Sequence, residues 1–457
     1  MMDSRLKIGA QAGTPLDKQA GSGASHDAPA SPLSRIRQLG RDPASMPEAA
    51  LAMIELLDRK FPFTVVPGSL TLDTCNPLAL NSLRAEFRTE DGQHLFLKCH
   101  HEDGEADRVG EYYRSGILEE AGFPIDKALY QSSAVGEQLV IYRYRDRRQF
   151  PELHSVARDL ESHGCRPADM APVVAAFDRF QQQLGARYLD SLHLASPAEV
   201  AAEAVHGLYH RRLVDHEEAV VFGGRVREFY LGRQVELPDG SSLPFEQFWH
   251  LRWRINGQLQ ESSLHEALQR ARVLLLPTPH ESVAALTAHG DDHTGNLLYN
   301  PAESIDRAIS YFDPAFAGNH IPALMAPCKA LYHVCYAHPN MLYDPDELRV
   351  DLSAKVSQGV LQIEHDWQLT PLRQQFLASQ TRHVWQPLLR TMRAQNLLPV
   401  QWRDIIGAAL LCCPLLCKNL LAGAGRPNPL TAEASLLTFS VALQLADGLF
   451  THQLDDP

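Results

Sequence analysis

Residues 289–296 read HGDDHTGN and lie between an apolar stretch ending at Ala288 and a second apolar run, LLY, at 297–299. Gly290 and Gly295 deny this segment a helix, because glycine loses the most backbone entropy on becoming helical. A third apolar run, ISYF at 309–312, is followed at once by Asp313. The intervening NPAESIDR is polar and carries a proline, which suits a turn. If the two runs pair antiparallel, the start of one lies beside the end of the other, with opposed Cα atoms about 4.5–5.5 Å apart. That hairpin brings Asn296 and Asp313 together and leaves Asp291 in the loop just before them. Two oxygen ligands and a nearby free carboxylate suit Mg²⁺, which takes few protein oxygens and keeps its other positions for water and phosphate. A zinc site needs more than this loop offers. His289 and His293 are four apart, but the glycines interrupt any helix and no Glu follows the first His.

His289-Gly290-Asp291-x-His293-x-x-Asn296, followed by Asp313-Pro314-Ala315, resembles the signature of the aminoglycoside phosphotransferase and choline kinase family. Asp291 and Asn296 also keep the spacing of the H-R-D-x-x-x-x-N loop of protein kinases. The resemblance implies a fold of the α+β class: a bilobal, protein-kinase-like arrangement with a small antiparallel sheet-plus-helix lobe and a large, mainly helical one. It implies ATP and Mg²⁺ as cofactors. Asp291 takes the place of the catalytic base, Asn296 and Asp313 that of the metal ligands, and His289 and His293 look structural. Asp292 and Thr294 stand where the family commonly has an apolar residue and a proline.

Upstream, the order of residues agrees with that resemblance. SLRAEFRT and HLFLKCH flank the Asp91-Gly92 turn as a hairpin, which puts Lys98 on a strand. ADRVGEYYRSGILEEAGF reads as a helix carrying Glu111 and ending near Gly122. Lys98 and Glu111 look like the strand-lysine and helix-glutamate pair that steadies the nucleotide phosphates. Asn81 and Ser82 resemble the family's short turn over those phosphates, whose backbone N–H groups can hold phosphate oxygens. The strand QLVIYRYR falls where an interlobe hinge belongs, so backbone near Tyr142, Arg143 and Tyr144 is expected to meet the adenine. No G-x-x-x-x-G-K-[ST] loop occurs, which argues against a Walker-type nucleotide hydrolase.

The expected organisation follows from composition. Residues 1–45 are rich in Gly, Ala, Ser, Pro and Asp and read as a disordered tail, with order beginning near PEAALAMIELLDRKF at 47–61. A small lobe over 46–142 and a helical lobe over 143–457 come next, the latter interrupted near 216–262 by an aromatic and β-branched stretch that reads as an insertion. From about 321 to the end the pattern reads as helical.

Charge bounds the partners. Lys plus Arg number 42 against 55 Asp plus Glu, a formal balance of −13. A nucleic-acid partner is not expected, since phosphate neutralisation calls for a basic stripe, and the densest run (Arg143, Arg145, Arg147, Arg148) is interleaved with Tyr and Asp. Cys412, Cys413 and Cys417 belong to an apolar helical run, GAALLCCPLLCKNLL, that is shorter than a bilayer span and reads as core. No membrane partner is expected, and a cytoplasmic location is. The expected partner is a small-molecule hydroxyl acceptor, cationic if acids such as Asp447 line its cleft. The competing expectations are a nucleotide-binding scaffold without turnover and a protein-directed kinase of the same fold.

Overall fold

The computed structural model describes residues 31–40, 42–73, 82–100, 114–126, 128–134, 136–146, 149–215, 221–337, 339–424 and 429–454. Helix α1 (Pro32–Leu39) opens it, with the Ser31 hydroxyl capping its first turn, and α2 (Met46–Lys60) follows. Helix α1 falls inside the stretch whose composition reads as a tail. Ile36, buried, with Leu33 and Leu39 beside it, packs against Met53, Leu56 and Leu57 of α2, so one apolar stripe suffices to order it.

Five antiparallel strands come next: β1 (Thr71–Asp73), β2 (Ser82–Arg88), β3 (His94–His100), β4 (Ala128–Ser132) and β5 (Leu139–Arg143). Their order in the sheet is β1-β2-β3-β5-β4. The hairpin expected around Asp91-Gly92 is present, with Arg84 opposite Lys98 and Arg88 opposite His94. Alternation along β2 and β3 buries Leu83, Ala85, Phe87, Leu95 and Leu97 against α2, forming one hydrophobic core.

The remaining chain is mainly helical and has a second, larger core. Its longest helix, Pro167–Ser191, lies against the strand Val283–Ala288, which leads directly into the HGDDHTGN loop. The apolar run containing Cys412 and Cys413 is the helix Trp402–Leu415, buried against the helix Ala432–Ala446. Among the described residues no helix is long and apolar enough to cross a membrane.

Two features depart from the helical reading of this half. Leu352–Ser357 and Val360–His365 form a β-hairpin whose turn, Gln358-Gly359, holds positive φ at both positions. The stretch near 216–262 contributes a parallel neighbour, Arg252–Ile255, to that hairpin and a second small hairpin at 234–244. The alternation in LSAKVS and VLQIEH was available in the sequence, but the helical character on both sides obscures it.

Candidate active site

The loop and its hairpin form as the spacing predicts. Strands Leu297–Tyr299 and Ile309–Tyr311 pair antiparallel with Leu297 opposite Tyr311, and the Phe312 amide donates to the Asn296 carbonyl at 2.8 Å. Asn296 and Asp313 therefore flank the same end of the hairpin. The Asn296 amide nitrogen donates to the Asp291 carbonyl at 2.8 Å, which ties loop to hairpin and leaves the Asn296 side-chain oxygen without a hydrogen bond among the described residues. Asp313 holds φ at 61°, in the left-handed region that Asp and Asn enter more easily than other side chains.

Gly290 is required where it stands. Its φ is +80°, and a Cβ there would lie 2.4 Å from the Phe316 carbonyl oxygen, so the segment after Asp313 packs directly on the backbone before Asp291. His289 hydrogen-bonds the Phe312 carbonyl through Nε2 at 2.9 Å and stacks on Tyr311, while His293 Nδ1 accepts from the Gly295 amide at 3.0 Å. Both histidines hold the loop's shape, as the resemblance implies.

The long-range contact is between Lys98 and Asp313. The buried Lys98 ammonium on β3 ion-pairs with the Asp313 carboxylate across 215 positions of chain. Burial, with Arg84 beside it, pulls Lys98 below the ordinary lysine range, and Asp291 and Glu152 counter part of that. Burial would also raise the carboxyl of Asp291, but Lys329, His293 and His333 outweigh it and hold Asp291 below the usual carboxylate range, ionised at neutral pH. Lys329, on the helical turn Cys328–Ala330, places its ammonium 3.8 Å from the Asp291 carboxylate.

A cleft of about 220 Å³ lies beside this group. Its walls include Ala85 and Phe96 from the sheet, Tyr142, Arg143 and Tyr144 at the end of β5, and Leu298, Phe312 and Glu152 from the helical half. The three hinge residues expected from sequence thus line it. Ser82 opens β2, but its side chain, like Asn81 and Glu111, lies outside the described residues. Glu152, Phe312 and Lys329 escaped the sequence reading. Phe312 could have been found, since it adjoins Asp313. Lys329 could not, because nothing local marks one lysine inside APCKALYHV.

Asp292 is a buried acid where the family commonly has an apolar side chain. It is 1% exposed, and among the described residues neither carboxylate oxygen has a hydrogen-bond partner. Burial pushes its pKa up to about 7. An unfolded aspartate ionises near 3.9, so as pH rises from about 4 to 7 the unfolded chain releases a proton that the folded chain retains. Folded stability contributed by this group is complete below pH 4 and is lost through that window, by up to roughly 4 kcal/mol. Asp292→Asn should flatten the profile, gaining stability over the wild type at pH 8 but not at pH 4. Thermal melts at both pH values check this, and an equal gain at both would disprove it.

The expected acid-lined acceptor cleft is not seen at Asp447. Its carboxylate accepts from the Ser262 amide and hydroxyl and from Arg270, so it braces a helix start instead.

No family model matches the chain, and no curated protein does. It is similar in structure to solved small-molecule kinases. These include amicoumacin kinase in complex with AMP-PNP, Ca²⁺ and Ami (15% identity, 84% of this chain and 90% of that one, TM-score 0.43). Others are an aminoglycoside-3'-phosphotransferase of type VIII (14%, 81% and 97%, 0.32) and glucosamine kinase in complex with glucosamine, ADP and inorganic phosphate (14%, 88% and 99%, 0.34). The residues of the site, rather than these partial likenesses, carry the functional reading.

Proposed function

We propose that the chain is a phosphotransferase that moves the terminal phosphoryl group of ATP to a hydroxyl of a small molecule, in a bilobal, protein-kinase-like frame. Residues 46–142 form the small lobe and 143–457 the large one. One observation carries this reading: Lys98 and Asp313 meet, with Asp291 close enough for its charge to act on both Lys98 and Lys329. Phosphoryl transfer asks a protein mainly for alignment and charge neutralisation, and this convergence supplies both.

The donor set fits a divalent ion. Asn296 offers a free amide oxygen beside the Asp313 carboxylate, both hard ligands, and these two would hold Mg²⁺. Bound there, the ion neutralises charge on the nucleotide phosphates. Lys98 holds a phosphate oxygen, exchanging part of its contact with Asp313. Backbone at Tyr142–Tyr144 meets the base, and Asp291, kept ionised by its neighbours, orients the acceptor hydroxyl and takes its proton.

Labelled ATP and Mg²⁺ with the full chain test the reading. Slow hydrolysis that depends on Asp291 supports an enzyme, whereas nucleotide binding with no turnover in any acceptor screen supports the scaffold instead. Lys98→Met should lower turnover by about 10²–10³-fold, through loss of one preorganised charge on the phosphates. Retention of more than a third of wild-type turnover would remove Lys98 from the site.

A further inference from the structure

Behind Asp291 lies a buried cation whose ammonium makes no hydrogen bond among the described residues. Lys329 is 3% exposed, and its one ion pair among the described residues is with the Asp291 carboxylate at 3.8 Å, too long for a hydrogen bond, while its charge also acts on the buried Asp292. Among the described residues nothing accepts a hydrogen bond from its ammonium. A buried ammonium has three donors and gains little from a single distant counter-ion. One turn further on, the π-helical segment Leu331–Tyr336 carries His333, also 3% exposed. Its Nδ1 lies 3.4 Å from the Tyr343 hydroxyl, and its buried Nε2 has no partner among the described residues. In the tautomer whose hydrogen sits on Nε2, Nδ1 accepts from Tyr343 and Nε2 is a second idle donor. The fields of Lys329, His333 and Asp291 act on one another, which puts the three groups in one neighbourhood.

Lys329 and His333, like Lys98, Asp291 and Asp313, stand off the walls of the cleft. Of the two buried lysines, Lys98 is engaged with Asp313. Resting on the phosphotransferase reading, we propose that Lys329 and His333 form an oxyanion subsite beside Asp291, which takes a phosphate or carboxylate oxygen during the reaction. The anion has two possible sources: the phosphoryl group in transfer, or an acidic group carried by the acceptor. In either case the charge balance has the same logic. When Asp291 accepts the hydroxyl proton it loses its negative charge, and an oxyanion at Lys329 keeps that buried ammonium compensated. An acceptor whose cation faces this subsite is disfavoured, which reverses the expectation drawn from net charge.

Isothermal titration of the full chain with inorganic phosphate, without nucleotide, reads the subsite directly. Binding should weaken by about tenfold or more in Lys329→Met and be largely rescued in Lys329→Arg, because a guanidinium also holds an oxyanion. Lys329→Gln replaces the Met variant if thermal melting shows that the latter does not fold. Titrations with Mg·AMP-PNP and Mg·ADP then separate the sources. A defect of Lys329→Met confined to AMP-PNP assigns the anion to the transferred phosphoryl. Loss of phosphate binding with both nucleotides unaffected assigns it to the acceptor. Equal phosphate affinity in wild type and a folded Lys329 variant, or no phosphate binding by wild type, overturns the proposal. If phosphate binds through Lys329 but neither nucleotide binds, the kinase reading fails and the anion subsite stands.

Discussion

Replacing Asp291 by Asn is expected to reduce turnover by about 10²–10⁴-fold, the usual contribution of a positioned general base, while nucleotide affinity changes little. The substitution keeps the shape of the side chain and the backbone carbonyl that Asn296 uses, so the loop and the metal-ligand oxygen should stay in place. What it removes is the proton-accepting oxygen and the negative charge beside Lys329. Measuring kcat alongside AMP-PNP binding separates the two effects. Turnover within a few-fold of wild type would show that the proton leaves by another route. A parallel loss of nucleotide affinity would mean that the new amide disturbs the loop rather than the chemistry.

A large loss of stability is expected at a distance from the chemistry. Arg373 and Glu161 form a bidentate pair, with Nε and Nη2 donating at 2.7 and 3.0 Å and side chains 1% and 5% exposed. Nη1 of Arg373 also donates to the Val334 carbonyl at 2.6 Å, within the segment that carries His333. Glu161→Ala strands a buried guanidinium and should cost about 3–5 kcal/mol in urea denaturation. Replacing both partners, Glu161→Met with Arg373→Met, should recover much of this, because no buried charge remains uncompensated. A loss below about 1 kcal/mol for the single variant would mean that water reaches Arg373 when its partner is gone.

These two sites differ in how far they could be read from sequence. Asp291, Asn296 and Asp313 were legible because their relation is local: a glycine-broken loop, two short apolar runs and a polar turn between them define a hairpin, and strand pairing sets the rest. Lys98 was legible as a strand residue from alternation about the Asp91-Gly92 turn. Its partner among the described residues is Asp313, whereas the expected partner, Glu111, lies outside them. The pairing of Arg373 with Glu161 had no signature, since a helix arginine and a helix glutamate 212 positions apart look like any two surface charges.

By itself the sequence determined what short-range physics controls: the hairpin register, the glycine that lets Phe316 close on the loop, the polar shape of HGDDHTGN and the amphipathic faces of the flanking elements. Tertiary structure alone decided which charges share a low-dielectric space. It buried Asp292 with no hydrogen-bond partner among the described residues, set Lys329 behind Asp291 and joined β3 to the hairpin through Lys98. Periodicity and turn chemistry act over a few residues, whereas the energy of a buried charge depends on every element that closes around it, and no local pattern encodes that.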